Sequence, residues 1–306
     1  MSPIYIWRYT LRSAAALNAK SGRREHEGAL LRVGSGYGCL HPWPELGDLS
    51  IDEQLAHLAR GGTTPLVDGA FRCAEADGRA RAEGRSLFTD PIPESHWLAL
   101  PGDKPEEAKA AGFDRVKLKI GRDRRGELAL AREWGEAGFQ LRFDANESLG
   151  EEAFFAFWDS LGSLREQVEL VEDAIPWAER AWKRLREAGV PLAVDREAES
   201  RFEVGDIAVI KPALSAWTPQ HPAPYLVTSY MDHALGQMWA AAEASRLLAG
   251  PEGGRMLTCG LMTHRCFDPD PFFDQIRCEG SRLVAPAGMG LGFEDLLEGL
   301  PWKRLT

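Results

Sequence analysis

From Trp97 onward the chain repeats one rhythm, in which short apolar runs are separated by longer segments of helical composition. The runs are WLAL, RVKLKIG, QLRFDAN, VELVEDAIP, PLAVDRE, IAVIKPAL, YLVTSYMD and MLTCG. Their spacers include RGELALAREWGEAG, EEAFFAFWDSLGSLREQ and ERAWKRLREAG. Strands joined through helices make parallel βαβ units. Roughly eight strands in about 190 residues fit a closed α/β barrel better than an open sheet, and the 306-residue chain exceeds the roughly 250 residues such a barrel needs.

Side-chain alternation along a strand sorts each run into two faces. In RVKLKIG, Lys117 and Lys119 share one face while Val116, Leu118 and Ile120 take the other. Alone this fits a one-sided edge strand guarded by solvated lysines. The later runs end in charge as well: Asp144 shares its face with Arg142, Glu172 with Val168 and Leu170, Asp195 with Ala193, and Lys211 with Val209. A single acid at a strand end is usually a cap or a loop residue. Three in succession, flanked by lysines, converge on one rim if the sheet is a parallel barrel, and catalytic groups sit on that rim.

Three carboxylates without a neighbouring cysteine suit a hard cation, Mg2+ before Ca2+ or Zn2+. Lysines around such a cation suit removal of a proton α to a carboxylate, because the enediolate needs concentrated positive charge. Lysine is a weak base near its ordinary pKa of about 10.4. Lys117 therefore supplies the like charge that makes Lys119 a usable base.

The remaining composition excludes other classes. With 36 basic against 46 acidic residues the formal charge is −10, which argues against nucleic acid or an anionic membrane surface as partner. Five cysteines without a CxxC pair suggest free thiols in a reducing cytoplasm. Neither a signal peptide nor an 18-residue apolar run is evident, so a cytoplasmic protein acting on a small molecule is expected. Before the barrel, YIWRYTL and GALLRVG read as strands and GSGYG as a hairpin turn rather than a phosphate loop, since CLHPW and not a helix follows. Residues 52–87 read as two helices broken near GGTTP.

KLK at 117–119, FDAN at 143–146, VED at 171–173, VD at 194–195 and IKP at 210–212 together resemble the enolase superfamily, in its muconate-lactonizing-enzyme subgroup, and within that the o-succinylbenzoate synthase family. GYGCLHPWPELGD, TSYMDHALG, CGLMT and PAGMGLG extend the resemblance. It implies a (β/α)7β TIM-like barrel over about residues 91–285, capped by an α+β domain formed by residues 1–90 and completed by about 286–306. It also implies Mg2+, or Mn2+ in its place, on Asp144, Glu172 and Asp195, with Lys119 as acid/base and Lys211 on the opposite face of a carboxylate substrate. Substrate contacts fall by position on Arg142, Asn146, Ser229, Tyr230, Gly260, Leu261 and Met262. Lys20, Arg23 and Arg24 lie where the family has a loop over the site.

The family reaction is a syn dehydration to o-succinylbenzoate on the way to menaquinone. N-acylamino-acid racemases and dipeptide epimerases of the same subgroup use the same two lysines, and a non-catalytic barrel is the reading from another class. The sequence also departs from the family pattern. Cys39 stands where glutamate is usual, Asp173 competes with Glu172 as a ligand, and Tyr230 and His233 replace small residues. The helices after the sixth and seventh strands are expected to be abbreviated.

Overall fold

The computed structural model describes residues 3–203, 206–216 and 223–306. Its first strands, β1 (Ile4–Arg12), β2 (Glu25–Val33) and β3 (Gly36–Leu40), form an antiparallel meander. Gly34, at φ +61°, and Ser35 make the β2–β3 turn, so GSGYG is the expected hairpin. Helices α1 (Ile51–Ala59) and α2 (Pro65–Ala82) follow. Ser50 and Glu53 form a capping box on α1, and Thr64 caps α2 ahead of Pro65 at its first turn. A Cβ on Gly36 or Gly38 would collide with the Ala74 or Ala70 carbonyl, so these glycines let α2 lie directly on the β3 backbone.

The barrel elements alternate strand and helix up to β9: β4 (Trp97–Leu98), α3 (Pro105–Ala110), β5 (Arg115–Lys119), α4 (Arg124–Glu136), β6 (Gln140–Asp144), α5 (Glu151–Ser160), β7 (Val168–Glu172), α6 (Glu179–Glu187), β8 (Leu192–Val194), α7 (Ala198–Arg201), β9 (Ile207–Ile210), then β10 (Tyr225–Val227) and α8 (Ala234–Ala249). β4 to β10 pair in chain order, all parallel. Residues 256–260 close the ring through parallel bridges Tyr225↔Met256 and Thr228↔Gly260 on one side and Ser95↔Cys259 on the other. That segment is MLTCG, the eighth run of the sequence. β5, the run with two lysines, is an interior strand between β4 and β6 rather than an edge.

The expectation of a shortened helix after the seventh strand is corrected by α8, which has 16 residues. Eleven of them are buried, so α8 lacks the polar face by which a helix announces itself in sequence. Between β9 and β10 the described residues carry a turn and no helix. The chain ends with β11 (Cys278–Glu279), β12 (Arg282–Leu283), α9 (Glu294–Glu298) and β13 (Lys303–Arg304), the last pairing antiparallel with β1 at the margin of the first sheet. All five cysteines are unpaired. Among the described residues no helix is long and apolar enough to cross a membrane.

Inside the barrel, Leu170, Ala193, Ile207, Val209 and Leu226 form a core of their own, separate from the main core between sheet and helices. Alternation puts Ala193 beside Asp195 and Val209 beside Lys211 as expected. Val168 is an exception, because it belongs to the outer core. The β6–β7 register slips between Leu141 and Arg142, leaving Glu169 as a bulge. A bulge re-aims a side chain. Here Glu169 accepts from Arg142 at 2.6 Å and from Arg115 at 3.1 Å.

Arg142 is fully buried; its Nη1 donates to His96 Nδ1 at 2.8 Å and to the Thr258 carbonyl at 2.6 Å, while its Nη2 has no partner among the described residues. It therefore braces the barrel interior, and its expected role at the substrate is corrected. Burial opposes Glu169 ionisation, but Arg142 and Arg115 hold it below the usual glutamate value. Removing one partner of a buried pair strands the other's charge. Glu169→Gln should lower unfolding stability by about 3 kcal/mol in urea titrations at pH 7. A depressed folded pKa gives stability that is present above the unfolded value of about 4.3 and lost as pH falls through the folded one, so the difference from wild type should shrink at low pH. An unchanged difference at low pH would exclude this ionic contribution.

Candidate active site

Five of the six non-glycine residues with positive φ among the described residues, Asn146, Glu147, Asp173, Glu197 and Met231, lie in the loops that leave β6, β7, β8 and β10. Strained backbone thus concentrates on one rim of the barrel, where the charged strand ends emerge. In an eight-position ring, β5 and β9 are four places apart. Lys119 and Lys211 accordingly stand on opposite walls, with Asp144, Glu172 and Asp195 on the three strand ends between them.

Lys117, 8 % exposed, bridges Asp144 Oδ2 at 2.9 Å and Glu172 Oε2 at 2.7 Å. Burial alone would lower its pKa, but the two carboxylates hold the ammonium well above the ordinary lysine range. One ammonium cannot offset both. Although burial opposes it, Lys117 and Lys119 keep Asp144 below the usual carboxylate range. Glu172 is pushed up by burial against the pull of Lys117, with Asp144 and Asp195 adding to the rise. Lys211 pairs with Asp195, and despite burial Asp195 and Glu172 keep it above the ordinary value.

Lys119 is the exception among the three lysines. Its pKa is lowered, first by burial and then, against Asp144, by Lys117. The like charge read from the sequence therefore contributes, but burial contributes more. Lys119 Nζ donates to the Leu17 carbonyl and lies 3.3 Å from Met231 Sδ. The segment carrying Leu17 is fastened over the rim, since Arg122 donates to the Asn18 and Ser21 carbonyls and Asn18 Nδ2 donates to Glu45. Lys20 and Arg23 are engaged by Glu147 and Glu45 at 3.5 and 3.0 Å, and Arg24 is exposed.

One cavity gathers Lys117, Lys119, Asp144, Asn146, Asp195, Lys211, Ser229, Tyr230 and Gly260. Glu172 sits just behind Lys117. Asn146 donates from its backbone and side chain to Asp144 Oδ1, so it orients that carboxylate. Leu261 and Met262, expected at the substrate, pack into the core instead, and the Leu261 N–H is spent on Ser95 Oγ at 2.7 Å. Thr263 takes the place on the cavity wall, hydrogen-bonded to Ser229 at 2.8 Å. Sequence reasoning missed Thr263, Thr228, Leu98, Trp43, Arg196 and His96 as lining residues. Leu98 was recoverable, because it opposes Lys117 in register.

Asp173 is placed by its contacts. Its two oxygens accept the Asp195 and Arg196 N–H groups at 3.2 and 3.3 Å, so it holds the β8 loop while Glu172 faces the lysine. Burial pushes the Asp173 carboxyl well up, reinforced by Asp195 and Glu172.

Among the described residues no three acidic, histidine or cysteine side chains are drawn together at metal-ligand spacing, because each strand-end carboxylate leans on a lysine. The donor set nevertheless fits a hard cation. Asp195 Oδ1 is buried without a partner, and Glu172 is under-compensated by the charge present. Positive charge among these oxygens would relieve both.

A family model described as o-succinylbenzoate synthase, N-terminal domain, matches residues 4–80. The chain is 33% identical to the o-succinylbenzoate synthase of Bdellovibrio bacteriovorus, with 97% of each covered. Among solved structures it resembles the L-Ala-D/L-Glu epimerase from Bacillus subtilis, with a TM-score of 0.76 at 18% identity over 95% of this chain and 98% of that one. It also resembles the muconate lactonizing enzyme from Pseudomonas fluorescens, with a TM-score of 0.72 at 15% identity over 95% of each. At these identities the solved structures show the fold, a TIM-like barrel with an α+β capping domain.

Asp173→Ala should free the amides it holds. Hydrogen exchange at Asp195 and Arg196 should accelerate roughly tenfold, as loss of one or two hydrogen bonds predicts, while Asp173→Asn, which keeps an acceptor, should change it little. Equal exchange in wild type and Asp173→Ala would remove Asp173 from that role.

Proposed function

The chain belongs to the o-succinylbenzoate synthase family of the enolase superfamily, and from that premise we propose that it dehydrates 2-succinyl-6-hydroxy-2,4-cyclohexadiene-1-carboxylate to o-succinylbenzoate for menaquinone biosynthesis. The observation that carries this reading is the pair of lysines facing each other across one cavity, with contrasting pKa directions. Lys119, lowered, is the group able to accept a proton. Lys211, raised, is a fixed positive charge.

Members of the superfamily generally use Mg2+, and here Asp144, Glu172 and Asp195 would hold it. The ion would supply the further positive charge that a dianionic enediolate needs. The chain's own residues do the rest. The Lys119 amine, released from the Leu17 carbonyl, takes the α-proton, and Lys211 opposite offsets charge on the enediolate oxygens. Protonated Lys119 then delivers that proton to the departing hydroxyl on the same face, so one water leaves and elimination is syn. Asn146 keeps Asp144 oriented throughout.

Racemases and dipeptide epimerases share the two lysines. A dipeptide epimerase usually carries an Asp-x-Asp pair for the substrate ammonium where Met231-Asp232-His233 offers only Asp232, and Asp232 is buried beside Cys39 and Gly236, outside the cavity. This disfavours a dipeptide epimerase.

Purified protein with Mg2+ should convert the cyclohexadiene carboxylate with loss of one water by mass spectrometry. EDTA should stop the reaction, and Lys119→Ala should slow it by roughly 1,000-fold or more. Turnover unaffected by Lys119→Ala would overturn the acid/base assignment. No conversion by folded, Mg2+-loaded protein, with deuterium exchange into N-acylamino acids or dipeptides in D2O, would replace the dehydratase by a racemase or epimerase.

A further inference from the structure

Tyr230 stands on the rim after β10, 8 % exposed, where the family usually has a small residue. Its phenol donates to Asp48 Oδ2 at 2.9 Å, and the same oxygen accepts the Trp43 N–H at 2.7 Å. The Trp43 indole N–H returns a bond to the Tyr230 carbonyl at 2.8 Å. Two residues of the cap turn and one of the barrel rim are thus tied by bonds running in both directions. The arrangement is part-buried to buried, where such bonds resist water.

The face of the same ring looks the other way. The Lys211 ammonium lies 5.5 Å from its centroid, within the range of a cation–π contact, while Asp195 engages the same ammonium. Lys211 is therefore held between a carboxylate and an aromatic face rather than by the carboxylate alone.

We propose that Tyr230 is a positioning residue that couples closure of the cap turn 43–48 to the placement of Lys211. Its hydroxyl end anchors the turn, and its ring sets where the ammonium stands and walls it from solvent. Tyr230 and Trp43 also give the cavity an aromatic wall, against which a ring-bearing carboxylate can pack. The coupling deepens the dehydratase reading and rests on it only for its kinetic consequence.

Three variants separate the two ends of the side chain. Tyr230→Phe keeps the ring and loses the Asp48 bond, Tyr230→Met keeps bulk without an aromatic face, and Asp48→Ala removes the anchor from the other side. Amide hydrogen exchange at 43–48 should rise in all three, with Asp48→Asn restoring wild-type exchange. Acylation of Lys211 by acetic anhydride in metal-free protein, mapped by peptide and referenced to exposed Lys183, should quicken about fivefold in Tyr230→Met but little in Tyr230→Phe. With the cyclohexadiene substrate, Tyr230→Phe should chiefly raise KM, while Tyr230→Met should also lower kcat about tenfold.

Unchanged exchange at 43–48 would overturn the anchoring. Equal Lys211 labelling in Tyr230→Phe and Tyr230→Met would overturn the role of the ring. Neither measurement uses turnover. A chain that does not dehydrate the substrate would therefore refute the proposed reaction while exchange and labelling still decide for or against the coupling, and Tyr230→Phe with Asp48→Ala retain the exchange test should Tyr230→Met not fold.

Discussion

The rim of this barrel depends on one shared ammonium. Lys117 is caught between Asp144 and Glu172, and all three groups are buried. Burying any one alone would be costly, and burying two acids with one base leaves a deficit of positive charge. That deficit explains the neighbouring directions. Asp144 is held ionised, Glu172 is not fully compensated, and Asp195 turns one oxygen to Lys211 while the other has no partner. Added positive charge among these oxygens would relieve that deficit. The same deficit makes the site a poor structural core, and the barrel interior carries that duty elsewhere.

That elsewhere lies one layer deeper. Arg142, Glu169, Arg115 and His96 form a second charged group inside the barrel, with every named contact directed to protein. The two layers use similar residue types for opposite ends. The deeper one sets Glu169 between two guanidiniums, and the upper one sets Lys117 between two carboxylates and is short of positive charge. The difference lies in how many partners each charge has.

Sequence could show the upper layer and not the lower one. Lys119, Asp144, Glu172, Asp195 and Lys211 were legible because each ends an apolar run, and strict alternation sends strand-end charges to one rim. Arg142 shares its face with Asp144, and the family resemblance placed it at the substrate. What distinguishes it is the bulge at Glu169, a register slip that no periodicity records. Thr263 escaped, and Leu261 and Met262 were chosen instead, because residues 256–260 close the barrel through isolated bridges and then turn, which shifts the wall residue. α8 was misjudged for a related reason. Covered nearly all round, it carries no polar stripe to mark its length.

The site's two halves also differ in how far apart in the chain their residues lie. The strand-end charges are supplied by neighbouring βαβ units, contacts a growing or refolding chain can make early. The covering pieces are not. Leu17 reaches Lys119 across 102 positions and Trp43 reaches Tyr230 across 187. The first sheet gains its outer strand only when β13 returns to β1. In order of assembly, then, the charged floor can exist before its roof. A partly folded chain would present an open, highly polar barrel mouth, and the last contacts to form would be those that exclude water from the chemistry.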